Sequence, residues 1–275
     1  MSIPPEDGGS KPILISLPTN NCARILLFLR LSGLEDQVEI KTPKDFGGLN
    51  SPEYRKINPQ GKFPALIIPR SEASVESFWF EAQVVLDLLK NKLLAGNPDK
   101  IASWNGGAAG SAEQQAKVRL LIQVHDLYLA SPNSTQPGSI ATQGCLYKGD
   151  VPLKERSSRA VELNKQLSVL ESLLDESGPY CCGAEITLAD LVIYPTFLFL
   201  APLTEAALGW PAGKVWDGRP KLQKWFGNFE KANPEVEGIC NDVRGFVQNS
   251  FLGSGRIAKI REAVESEEGK ALPWM

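Results

Sequence analysis

Apolar positions in the N-terminal third of the chain change period several times, and each change marks an element. Ile13 to Ser16 reads as a short strand. Ile25, Phe28 and Leu29 then share one face of a helix over Cys22 to Ser32, entered through Pro18-Thr19-Asn20-Asn21 and ended by Gly33. Val38-Glu39-Ile40 alternates as a second strand, and Ser51 to Ile57 is a short helix. Ala65 to Ile68, closed by Pro69, and Ser77 to Phe80 give two more strands. Glu81 to Lys92 follows as a helix expected to bury Val84, Val85, Leu88 and Leu89. The order β-α-β-α-β-β-α predicts helices packed on a small mixed sheet over residues 13–92.

Residues 93–110 carry Asn97-Pro98-Asp99 and Gly106-Gly107-Ala108-Ala109-Gly110 and read as a linker. Every long segment of 111–275 is then helical: 112–130, 154–176, 187–203 and 219–231. A Pro/Gly/Ser/Asn-rich insertion, 131–151, separates the first two, and a tail, 237–275, follows the last. Thr187-Leu188-Ala189-Asp190 is a capping box for the third. The fold class is therefore an α/β domain followed by an all-α helical bundle, with residues 1–12 frayed.

Composition narrows the functions open to such a chain. A hydrophobic share of 43%, a charged share of 22% and a net charge of −3 suit a soluble protein and offer no basic surface for nucleic acid or an anionic membrane. Five cysteines, an odd number without regular spacing, make neither a disulfide framework nor a metal site, so no metal is expected. Glu6 and Asp7 interrupt the start where a signal or transit peptide would be apolar or basic, and a reducing, cytoplasmic location is the expectation. Leu191 to Leu203 is apolar but short, which suits a buried helix rather than a membrane span.

The densest motif is Asn58-Pro59-Gln60-Gly61-Lys62-Phe63-Pro64-Ala65-Leu66-Ile67, with Glu81-Ala82 a short way on. Pro59 and Gly61 mark a turn, and Pro64 opens a strand. On the residues alone, Pro64 is either an ordinary trans proline at a first strand position or a cis proline. The cis form would leave the N–H and C=O of Phe63 free to hold an extended peptide. The string resembles the segment entering the third strand of glutathione transferases. Gly183…Thr187-Leu188-Ala189-Asp190…Tyr194-Pro195 and Arg219-Pro220-Lys221-Leu222…Trp225-Phe226…Pro234 are similar to the C-terminal domain of the same family. The likeness covers about residues 13–236 in order, leaving out the insertion and the tail. It implies a thioredoxin-like N-terminal domain, a cis Pro64, glutathione as co-substrate, a hydrophobic small molecule as second substrate, a role in detoxification and a homodimer.

Transferred residue by residue, the likeness assigns glutathione binding to Lys62, Phe63, Pro64, Glu81 and Ala82. The carboxylate of Glu81 would meet the γ-glutamyl ammonium, the helix start at Ala82 the γ-glutamyl carboxylate, and Lys62 the glycyl carboxylate. Ala82 stands where the family has Ser and lacks its hydroxyl. A thiol-activating tyrosine is absent before Tyr54, so activation falls to the first turn of the first helix. Five residues before Arg24, Thr19 occupies the position of the family's hydroxyl donor, and Asn21 matches the amide of an Asn-type branch. Both residues also serve well as helix caps. Cys22 falls on the buried second position of a Cys-x-x-Cys whose first is absent, which ranks a glutaredoxin-like reaction low.

The acceptor pocket is expected along 112–130, with Tyr128 as its residue; His125, the only histidine, receives no catalytic role. Activation of the thiolate for attack on a hydrophobic electrophile is the leading function. A non-catalytic binding protein of the same fold and a glutathione-dependent reductase or peroxidase are the alternatives.

Overall fold

A computed structural model describes residues 10–70, 75–107, 112–130 and 142–274. The chain forms two compact units, Met1–Ile101 and Ala102–Met275. The first contains β1 (Ile13–Ile15), α1 (Asn20–Ser32), β2 (Glu39–Lys41), α2 (Pro52–Ile57), β3 (Ala65–Ile68), β4 (Ser77–Phe80) and α3 (Ala82–Leu93), the predicted order. Residues 1–9, the start of the expected frayed segment, lie outside the described residues.

The four strands run in the order β2-β1-β3-β4, with β1 parallel to β2 and antiparallel to β3, and β3 antiparallel to β4. This is the thioredoxin-like mixed sheet. Side chains alternate across it. Ile15, Ala65 and Ile67 pack on one face with Tyr54 and Ile57 of α2, while Leu14 and Leu66, also fully buried, face the other way. On α1 the expected Ile25, Phe28 and Leu29 are buried, and Gly33 ends the helix in the left-handed conformation. On α3 the pattern differs from the expectation: Val84 is exposed, and Ala82, Val85, Leu86 and Leu89 are the buried set. The i, i+3, i+4, i+7 spacing from Ala82 defines that stripe, and Val84 falls outside it.

The expected linker 93–110 contains a helix, α4 (Pro98–Trp104), with Trp104 buried; Ala108 to Gly110 fall outside the described residues. The second unit continues with α5 (Ala112–Val124), extended by a wider turn over His125–Leu129, then α6 (Leu153–Leu173), α7 (Leu188–Leu203) and α8 (Pro220–Ala232). Residues 131–141 of the insertion lie outside the described residues. The rest of it is drawn in by buried Arg156, whose guanidinium donates to the carbonyls of Cys145, Lys148 (2.8 Å) and Val151 (3.2 Å). The tail is helical: α9 (Glu237–Val247), α10 (Gly255–Glu265) and α11 (Glu267–Lys270). Ile239, Val243 and Val247, then Ile257, Ile260 and Val264, give α9 and α10 one buried stripe each.

Helix α7 runs through Pro195 without ending there and is buried along nearly its whole length. Its span with the following turn, Leu188–Leu208, is apolar and long enough to cross a membrane, yet 78% of that window is buried inside the unit. The predicted capping box opens it. Asp190 Oδ2 accepts from the Thr187 N–H (2.9 Å) and hydroxyl (3.0 Å), while Oδ1 accepts from the Cys181 N–H (2.7 Å) and the Trp225 indole (2.9 Å). One fully buried carboxylate thus joins the α7 start, the 181 turn and α8. Replacing it strands four donors in the core. Asp190→Ala is expected to cost roughly 3 kcal/mol or more in urea unfolding, and a loss below about 1 kcal/mol would contradict this role.

Candidate active site

Strand register brings the site together. Ile15, the last residue of β1, faces Ala65, the first of β3, and Ala65 faces Phe80, the last of β4. The start of α1, the turn entering β3 and the start of α3 therefore meet at one end of the sheet. Thr19, Asn21, Lys62, Phe63, Pro64, Glu81 and Ala82 all belong to these three segments.

The turn is built around one carbonyl. The phenol of buried Tyr54 donates to the Lys62 C=O (2.6 Å), and so does the side-chain amide of buried Asn58 (2.7 Å). Asn58 Oδ1 also accepts from the Gln60 N–H (3.0 Å), and Arg55 donates to the Pro59 carbonyl (3.0 Å). Gly61 has φ +62°, and a Cβ there would stand 2.9 Å from the Leu49 carbonyl oxygen, so the turn requires glycine. Phe63–Pro64 is a cis peptide bond, the form the family likeness implies. Among the described residues no hydrogen bond occupies the N–H or C=O of Phe63. Sequence reasoning missed Tyr54 and Asn58 as the scaffold of this turn; for Asn58 a signal existed, since Asn before Pro-x-Gly is a side-chain turn former. The Lys62 side chain is exposed.

At the other corner, Glu81 has φ +70° and ψ +120°, the one non-glycine residue with positive φ among the described residues. Such a conformation costs of order 1–3 kcal/mol and collects at functional sites. Glu81 does not use its carboxylate to cap α3, and Oε1 accepts instead from the Gln60 amide (3.3 Å). Ala82 follows as the first helical residue, so the first turn of α3 begins directly after Glu81 and receives no cap bond from its side chain.

Thr19 is the N-cap of α1, with extended backbone, but its hydroxyl caps nothing. It is 8% exposed, and among the described residues its Oγ1 meets no oxygen or nitrogen partner, the Cys22 thiol being the group it lies against. Asn21 Oδ1 accepts from buried Arg24 (3.0 Å), which ties the amide into α1. Cys22 is fully buried, and burial pushes its thiol up against smaller opposing effects of the Leu17 backbone, the Thr19 and Ser16 hydroxyls and Arg24. Tyr54 is likewise pushed up to about 12, chiefly by burial, and is a protonated donor at neutral pH.

Tyr128 is in the other unit, exposed on the His125–Leu129 turn, with residues 131–141 beyond it undescribed. A cavity of about 150 Å³ in that unit is lined by Asp175, Tyr180, Lys221, Lys224 and Trp225, away from Tyr128 in sequence. His125 is fully buried, bonded to Asp126 (2.8 Å) and Thr196 (2.7 Å), a core residue. No group of three or more His, Cys, Asp or Glu among the described residues could hold a metal ion.

Two family models match the chain: glutathione S-transferase, N-terminal domain, over residues 20–89, and glutathione S-transferase, C-terminal domain, over residues 141–233. Together they span more than half of its length, and the chain belongs to the glutathione S-transferase family. Solved structures share its fold. A glutathione transferase from Burkholderia graminis, with two glutathione molecules bound per subunit, is 21% identical with a TM-score of 0.62 over 83% of this chain and 87% of its own. Human glutathione S-transferase T1-1, in its apo form, is 17% identical with a TM-score of 0.63 over 92% and 98%. A delta-class enzyme from Nilaparvata lugens is 19% identical with a TM-score of 0.61 over 90% and 99%. No curated protein matches the chain in sequence.

All five cysteines are buried, and burial raises the thiols of Cys145, Cys182 and Cys240 to about 12. A raised value means less thiolate at any lower pH. The folded protein at mildly alkaline pH is therefore expected to stay unreactive toward an aromatic disulfide reagent, with all thiols released on denaturation. Fast labelling of Cys22 in the folded state would contradict its inert role.

Proposed function

We propose that this chain is a glutathione transferase, holding glutathione along the free backbone edge of Phe63 and activating its thiol at the start of α1 for attack on a hydrophobic electrophile. The observation that carries the reading is the Thr19 hydroxyl: buried, making no cap bond to its own helix, beside the Cys22 thiol and set at the N-terminus of a 13-residue helix. A helix start favours an anion, and a hydroxyl there that caps nothing has a donor to give to a ligand's sulfur. Hydrogen bonding to the thiolate lowers its pKa and enlarges the nucleophilic fraction at neutral pH. Asn21, whose Oδ1 is engaged by Arg24, is the second donor candidate. Lys62 takes the glycyl carboxylate, Glu81 the γ-glutamyl ammonium, and the α3 start at Ala82 the γ-glutamyl carboxylate.

The second reading, a binding protein without turnover, draws support from Ala82, which lacks a hydroxyl for that carboxylate. A cytoplasmic homodimer completes the proposal: Trp79 and Val84 are exposed large apolar side chains that a second copy would cover, and gel filtration at the monomer mass would rule that out.

Retention on glutathione resin together with conjugation kinetics tests the function. Loss of one hydrogen bond to a charged group is worth ~1.5–3 kcal/mol, so Thr19→Ala is expected to lower kcat/KM by about ten- to a hundredfold. Asn21→Ala is expected to lose less. Loss confined to Asn21→Ala would move the donor role there, and retention without turnover would establish the binding protein. Ala82→Ser adds a donor and is expected to tighten glutathione binding by about tenfold.

A further inference from the structure

We infer that Gln60 is a positioning residue, holding the Glu81 carboxylate where a γ-glutamyl ammonium binds; the assignment rests on the glutathione-binding reading above. Glu81 is exposed and rotatable, and it does not bond to the helix it begins. Left alone, such a side chain loses rotamer entropy each time it is fixed by a cation. The Gln60 amide removes that freedom beforehand by donating to Oε1 at 3.3 Å, and among the described residues Oε2 has no partner.

The donor itself comes from a fixed place. The backbone N–H of Gln60 donates to Asn58 Oδ1, the next residue is the left-handed Gly61, and the carbonyl of Lys62 is pinned by Tyr54 and Asn58. The bond therefore ties two segments 21 residues apart, the turn before β3 and the residue after β4. The choice of an amide matters chemically. A lysine or arginine in this place would neutralise the carboxylate and compete with the incoming ammonium, whereas an amide orients the carboxylate and leaves its charge intact. With Ala82 supplying no hydroxyl, recognition of the zwitterionic end leans more heavily on this carboxylate.

Calorimetric titration of the full chain with glutathione, and with glutaryl-cysteinyl-glycine, which has no α-ammonium, tests the assignment. A hydrogen bond of this kind is worth about three- to tenfold in affinity, so Gln60→Ala is expected to weaken glutathione binding by that factor and the glutaryl analogue by less than about twofold. Equal loss for both ligands, or none for glutathione, would overturn the positioning role while leaving the site itself standing. A wild-type protein that binds no glutathione would overturn the site and the role together.

Discussion

The pairing of Ile15 with Ala65 and of Ala65 with Phe80 is the constraint on which the site depends. Because β1 and β3 are antiparallel, the end of one lies beside the start of the other. Because β3 and β4 are antiparallel, the end of β4 joins them. Three segments far apart in sequence, at residues 16–21, 58–64 and 81–82, thereby share one end of the sheet. A slip of one residue in either pairing would turn Ile15, Ala65 and Ile67 out of the core around Tyr54 and Ile57. Burial of that small cluster therefore sets both the stability of the sheet and the address of every candidate residue.

What gathers at that end is a set of polar groups that the helices and strands beside them do not use. The Thr19 hydroxyl caps nothing, the Phe63 backbone pairs with no strand, and Glu81 turns away from its own helix through a backbone angle that glycine would adopt more cheaply. Buried or strained groups without partners cost free energy, and a ligand that satisfies several of them recovers it. Under the proposed function, glutathione would meet them with a main chain for Phe63, a thiol for Thr19 and a charged end for Glu81. Cys22, by contrast, is sealed in the core with its thiol raised by burial, so it offers little thiolate of its own.

Much of this was legible in the sequence because turn chemistry is local. Pro59, Gly61 and Pro64 specify the turn and strand entry by their own backbone limits, and Thr187 with Asp190 specifies a helix start. The thioredoxin-like layer was readable from the order of the elements, whereas the cis form of Pro64 came from family likeness, not from spacing. The α3 face was misjudged because Val84, Val85, Leu88 and Leu89 satisfy a helical stripe as well as the stripe from Ala82 that is buried. The tail helices and α4 went unread, since they are fixed by packing and carry no distinctive motif. Tyr54, Asn58 and Gln60 act across turns and strands, through bonds that sequence spacing does not encode. Tyr128 shows the same limit: helical position says which side it is on, not what surrounds it.

The pH dependence of thiolate absorbance in the glutathione complex tests the central claim most directly. If Thr19 and the start of α1 stabilise the sulfur anion, the bound thiol ionises at lower pH than free glutathione, and the shift shrinks in Thr19→Ala. Ionisation of the bound thiol at the same pH as the free one would contradict the assignment of thiol activation to this helix.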